Sequence, residues 1–314
     1  MSHEQVQKLI ATLENNIASV VFGKRTAIRQ CLVAFLAGEH VLLEDVPGLG
    51  KTLLARAIAR SVKGDFSRLQ FTPDLLPADI TGSSIYDAGT RQFQFVKGPI
   101  FANVLLADEI NRTTPRTQSA MLEAMNERQV SAEGQAFPLP KPFFVVATEN
   151  PVEFEGTYPL PESQLDRFLL RVSVGYPDRE SEMHVLKSHR LGQPIDQLEP
   201  VLTNEQVLEL QEAVRRVRVD EAIDRYILDI VEVTRQSDDL YVGVSTRGAI
   251  AFSRAVQAYA LIEGREFVVP DDVKTLAVPV LAHRVMAKTY SHGNQRQSVE
   301  GLIAHLVDEV AVPS

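Results

Sequence analysis

One cysteine, no apolar run long enough to cross a membrane and no excess of basic residues narrow the possibilities for this 314-residue chain before any motif is read. Cys31 has no partner for an internal disulfide and sits in an apolar helical pattern, which agrees with a reducing compartment. Without a stretch approaching about 20 apolar residues, membrane insertion is not expected. Met1-Ser2-His3-Glu4-Gln5 lacks the basic and apolar regions of a signal peptide, so a cytoplasmic location is expected. Lysine and arginine number 32 against 41 acidic residues, a net charge of −9, which disfavours a large nucleic-acid footprint. The seven histidines are scattered, and His184 and His189 lack the i, i+4 spacing of a helical metal pair. No internal repeat or low-complexity tract is present. What remains is ordinary globular composition, 45% hydrophobic and 23% charged, in a chain long enough for two domains.

The most informative segment is His40-Val41-Leu42-Leu43-Glu44-Asp45-Val46-Pro47-Gly48-Leu49-Gly50-Lys51-Thr52, a short apolar strand running into a glycine-lysine-threonine turn. A triphosphate is held best by main-chain N–H groups at a helix N-terminus. Gly48 and Gly50 permit the dihedrals that turn amides inward, Lys51 reaches the β- and γ-phosphates, and the Thr52 hydroxyl ligates Mg²⁺. Residues Asp45 to Thr52 are therefore the expected nucleotide cradle, and Leu53 to Ala59 the helix it needs. The strict pattern has glycine where this chain has Asp45.

A second site strengthens that reading. Val104-Leu105-Leu106-Ala107-Asp108-Glu109 is a buried-strand pattern ending in two carboxylates. Asp108 is the expected Mg²⁺ ligand and Glu109 the residue that polarises the attacking water, which implies hydrolysis as well as binding. The strand Phe143 to Glu149 ends in Asn150, able to donate to a γ-phosphate or to position water, although asparagine before Pro151 is by default a turn residue. Arg167 is either a forked cation for phosphate or a surface ion-pair partner. Ser245 caps a helix whose first turn carries Arg247, a cation unfavourable to the helix dipole that suggests an anionic ligand or partner.

Residues 5–37 read as two helices broken at Gly23, and residues 40–174 as alternating strands and helices, the pattern of a parallel sheet covered on both faces. Two segments, Ser84 to Val96 and Gln129 to Phe137, alternate around glycine-containing turns and predict β-hairpins. Tyr176-Pro177-Asp178-Arg179 marks a boundary, and from Glu180 onward the patterns are helical, with a Thr203 cap and Pro270 opening another helix.

In this order, the phosphate loop, Asp108-Glu109, Asn150, Leu165-Asp166-Arg167-Phe168 and Ser245-Thr246-Arg247 resemble an AAA+ ATPase. The segments Leu75 to Gly82, Gly98-Pro99-Ile100-Phe101, Ile110-Asn111-Arg112 and Met121 to Met125 resemble its MoxR branch, which tolerates a non-glycine at position 45. The resemblance implies an α/β P-loop core of five parallel strands flanked by helices, residues 1–176 with both hairpins, and an all-helical lid, residues 177–314. It implies ATP and Mg²⁺ as cofactors, with Val21, Phe22 and Gly23 packing on the adenine. Asn150 matches the sensor of the γ-phosphate, Arg167 an arginine finger acting on the neighbouring subunit's nucleotide, and Arg247 the second sensor on the lid. A homo-oligomeric ring, usually a hexamer, is implied, together with a von Willebrand factor A (VWA) domain partner and a protein client matured or metallated by chaperone-like remodelling. A chelatase-like metal-insertion motor, a DNA-stimulated motor and a nonhydrolysing nucleotide switch remain the alternatives.

Overall fold

The computed structural model describes all residues except 90, 133, 152–155, 190–191, 193, 289–294 and 314. Apolar runs buried on both sides become the strands of one parallel sheet: β1 (Val41–Glu44), β2 (Phe66–Gln70), β3 (Val104–Asp108), β4 (Phe144–Glu149) and β5 (Leu170–Val172). The spatial order is β5-β1-β4-β3-β2, and every pairing is parallel. The strand that carries the phosphate loop is thus flanked by those ending at Asn150 and beginning beyond Arg167. The C-terminal edge of such a sheet is where ligands bind, because every βα turn opens there.

Alternate residues divide the sheet between two cores. Val41, Leu43, Val104, Leu106, Phe144 and Val146 face α1 (His3–Ala18), α2 (Arg25–Ala37) and α3 (Lys51–Arg60). Leu42, Leu105, Ala107, Val145 and Ala147 face α4 (Pro77–Thr81) and α5 (Pro115–Glu127), where Met121 and Met125 are fully buried core residues. Capping chemistry sets several boundaries: Ser2 and Gln5 form a capping box on α1, and Pro115 opens α5 after Thr114.

Both expected hairpins form, pairing Gly82–Asp87 with Gln92–Lys97 and Gln129–Ala132 with Gln135–Pro138. Thr90 and Glu133, within those expected turns, lie outside the described residues. Phe95 of the first hairpin stacks on Phe137 of the second, with ring centroids 4.3 Å apart.

The short α6 (Glu162–Leu165) precedes β5, and α7 (Arg179–His189), α8 (Asn204–Arg215), α9 (Glu221–Gln236), α10 (Thr246–Ile262), α11 (Pro270–Leu281) and α12 (Gln295–Glu309) follow it. Two short ladders interrupt the helices: Leu202–Thr203 runs parallel to Val62–Lys63, and Leu240–Val242 antiparallel to Met286–Ala287. The larger hydrophobic core continues from the sheet through α1 and α2 into α8 to α12. No helix among the described residues is long and apolar enough to cross a membrane.

Candidate active site

The phosphate loop is built by the fold as its residues require. Gly48 and Gly50 have φ of +85° and +87°, and a Cβ on either would project into open space rather than protein. No side chain caps α3, so its first N–H groups are left to a ligand. Asp45 is not among the residues with positive φ, so this position has no need of glycine. Its carboxylate instead ties the loop together, accepting from the Val46 amide at 2.9 Å, the Ser173 hydroxyl at 2.8 Å and the Gly175 amide at 2.7 Å. Burial pushes the Asp45 pKa up, and these donors outweigh it, leaving the carboxyl below its usual range.

Lys51 is 9% exposed and lies at the start of α3. Its ammonium donates to the Asp45 carbonyl and, at 3.0 Å, to the Glu149 carbonyl. Burial lowers its pKa, while Asp45, Asp108, Glu109 and Glu44 pull it back up. The same ammonium thus sees the loop and both carboxylates from β3.

Asp108 and the backbone of Glu109 meet at Thr148 of β4. The Thr148 hydroxyl donates to Asp108 Oδ1 at 2.7 Å and accepts from the Glu109 amide at 2.8 Å. Asp108 Oδ2 accepts from Arg68 Nη2 at 2.7 Å and Nε at 3.2 Å. Glu109 adopts left-handed dihedrals, φ 58° and ψ 53°, which place its side chain outside the line of the strand. Such a conformation costs a non-glycine residue about 1–3 kcal/mol and concentrates at functional sites. Glu109 Oε2 accepts from Gln70 at 2.8 Å and Arg112 at 3.0 Å. Arg112 therefore faces the carboxylate of its own chain.

Asn150 is 2% exposed, and its carbonyl accepts from the Asn111 side chain at 3.3 Å. Gly23 has φ +69°, and a Cβ there would fall 2.3 Å from Ser181 Oγ, so the Val21-Phe22-Gly23 segment lies directly against α7. Phe22 stacks on His184 with centroids 5.8 Å apart. Two of the expected residues make the contacts described for them elsewhere than the loop. Arg167 donates from Nη1 to the Leu122 carbonyl of α5 at 2.8 Å, and Arg247, its side chain 71% exposed, lies 3.9 Å from Asp166.

The residues present fit a magnesium-bound triphosphate. Open glycine cradle, uncapped helix and buried ammonium suit polyanionic phosphate; the Thr52 hydroxyl and Asp108 carboxylate are hard oxygen donors of the kind Mg²⁺ takes. Thr148, Arg68 and Gln70 were not singled out from the sequence. Thr148 carried a signal, a hydroxyl inside an otherwise apolar buried strand; Arg68 and Gln70 lie on an edge strand whose alternation resembles any exposed segment.

A phosphate loop between β1 and α3, a carboxylate pair closing β3 and a β5-β1-β4-β3-β2 sheet with a helical lid define a P-loop ATPase of the AAA kind. The sequence agrees: residues 40–170 match the family described as ATPase family associated with various cellular activities (AAA), and residues 232–302 match the AAA lid domain. The chain is 49% identical to the protein YeaC of Bacillus subtilis, over 99% of this chain and 97% of that one. It is 42% identical to the chaperone MoxR1 of Mycobacterium tuberculosis, over 97% and 83% respectively. A solved structure from Cytophaga hutchinsonii, assigned as an ATPase, has a TM-score of 0.89 at 35% identity, covering 99% of this chain and 97% of that one. The chain belongs to the MoxR family of AAA+ ATPases.

Proposed function

We propose that this protein hydrolyses ATP in a Mg²⁺-dependent reaction and uses the cycle for chaperone-like remodelling. The observation that carries the reading is the Thr148 hydroxyl, which donates to the Asp108 carboxylate and accepts from the Glu109 backbone amide, fixing the two acidic residues at the end of β3 side by side. Bound Mg²⁺ would supply neutralisation of charge developing between the β- and γ-phosphates. Thr52 and Asp108 would hold it. The loop amides and Lys51 bind the phosphates, and Glu109 orients the attacking water and accepts its proton. Asn150 and Arg247 report the γ-phosphate, and Val21, Phe22 and Gly23 receive the base.

The division into residues 1–176 and 177–314 makes the site a cleft between core and lid. Arg167, whose Nη1 rests on the Leu122 carbonyl of α5, serves the site of the next subunit in a homo-oligomeric ring of six. The ring works in the cytoplasm with a VWA-domain partner on a protein client, through maturation or metal insertion.

The test is Glu109→Gln. Turnover should fall by about 10² or more with ATP affinity kept or tightened. Unchanged turnover would sink the hydrolytic assignment and favour a nucleotide switch, while activation of the wild-type by DNA with steep salt dependence would favour a nucleic-acid motor.

A further inference from the structure

Arg284, in the 3-10 turn Ala282–Arg284 that follows α11, is 7% exposed and buries its guanidinium against the segment that enters β5. Its Nε donates to Asp166 Oδ1 at 2.8 Å, Nη1 to the Leu169 carbonyl at 3.0 Å, and Nη2 to the Phe168 carbonyl at 2.7 Å. Nη1 also donates to the Val280 carbonyl of α11 itself. The neighbouring His283 Nε2 lies 2.9 Å from the Phe168 carbonyl. Acceptors at residues 166, 168 and 169 thus surround Arg167, whose own backbone receives none of these bonds. An arginine has five N–H donors and no way to lose its charge, so withdrawing this segment would strand a buried cation.

The Arg167 side chain is held far less. Among the described residues its anchor is the single bond to the Leu122 carbonyl, and its Nε is buried without an acceptor. Asp166 is also the carboxylate nearest Arg247, at 3.9 Å, and that arginine is largely exposed. One carboxylate therefore touches a buried lid arginine and an exposed one, immediately before the residue offered to a neighbour.

We propose that Arg284 is a positioning residue for Arg167: with Asp166 it clamps the backbone around Arg167 to the lid, so the lid of one subunit sets the arginine presented to the next site. The inference rests on the reading of Arg167 as a residue acting in trans. Movement of the lid around its own nucleotide is then converted into placement of the finger, with Arg284 carrying the geometry and Arg247 the response.

The experiment mixes two inactive full-length chains. Glu109→Gln retains Arg167 and supplies the finger, whereas Arg167→Ala retains Glu109 and supplies the site. Equal mixtures should regain ATP turnover above either parent. Adding Arg284→Lys to the Glu109→Gln chain should cut the recovered turnover by about 10-fold or more, since a misplacement near 1 Å can cost about 10²-fold. Adding Arg284→Lys to the Arg167→Ala chain should leave recovery unchanged, because that chain has no finger to position. Equal loss in both placements, or loss in neither, overturns the proposal while leaving the trans reading intact. Failure of the parent mixture to recover turnover removes the trans reading, and the proposal with it. Asp166→Asn, nearly isosteric, gives the same asymmetry from the other half of the clamp if Arg284→Lys does not fold.

Discussion

Glu149 and Glu44 are directly opposed across β4 and β1, and their side chains share the ground beneath the phosphate loop. Glu44 is paired with Arg171 of β5 and, at 3.5 Å, with Arg296 of α12. Glu149 is pushed up to about 7, by burial first and by Glu44 second, against the pull of Arg171, Lys51 and Arg296. A folded-state pKa above the unfolded value means that the native protein holds more protons between the two, so stability falls as pH rises through that window. The window runs from the ordinary glutamate value of 4.5 to about 7. Glu149→Gln should therefore raise the melting temperature at about pH 8, with the gain shrinking toward zero as the pH nears the lower limit. Thermal melts of both proteins across that range check it, and a gain independent of pH would show that packing, not ionisation, is responsible. At this scale the sequence was readable where one residue type does one job: Lys51, Thr52, Asp108 and Glu109 announce themselves by type and spacing. Arg68, Asp166 and Arg284 do not, because a surface arginine and a buried one are the same letter.

At the level of elements, the joint between the first helices and the lid is closer than any spacing foretold. Gly23 turns the chain with φ +69° where α7 presses against it, and Lys24 beside it donates to the Gly175 carbonyl at 2.7 Å. Gly23→Ala meets both a left-handed backbone and a collision with Ser181, so a loss of about 1–3 kcal/mol is expected. Because the same contact shapes the proposed base pocket, affinity for a fluorescent ADP analogue should fall in parallel. A melting temperature unchanged within error would mean that α7 yields easily. Strands were the most legible elements, since parallel strands covered on both faces leave unbroken apolar runs in the sequence, as in Leu105 to Ala107 and Val145 to Ala147. The hairpins showed through their two-residue alternation. The small ladders, such as Leu202–Thr203 on Val62–Lys63, were invisible because two residues carry no period.

For the molecule as a whole, the proposed trans role of Arg167 makes activity a property of assembly. Specific turnover measured from dilute to concentrated protein should rise steeply and then level off, and Arg167→Ala should lower the plateau by about 10³ or more without altering nucleotide binding. A flat profile across a range in which sedimentation shows dissociation would exclude completion of the site by a neighbour. Fold class and core residues could be read from the sequence because they follow from pattern and composition. Links between regions could not: Arg296 to Glu44, Arg284 to Asp166 and Arg254 to Glu39 join residues far apart in the chain, and a salt bridge leaves no spacing to find.

The continuous core described above also fixes where this protein can be cut. Residues 40–170 look self-sufficient as a stretch of sequence, yet one face of their sheet is covered by α1 and α2, and those helices are in turn covered by α8 and α10. An expression fragment ending after β5 would leave Val33, Phe35 and Leu36 of α2, all buried in the intact chain, with part of their packing gone. Halves of this protein are therefore better joined again from separate polypeptides, each keeping the other folded, than studied alone.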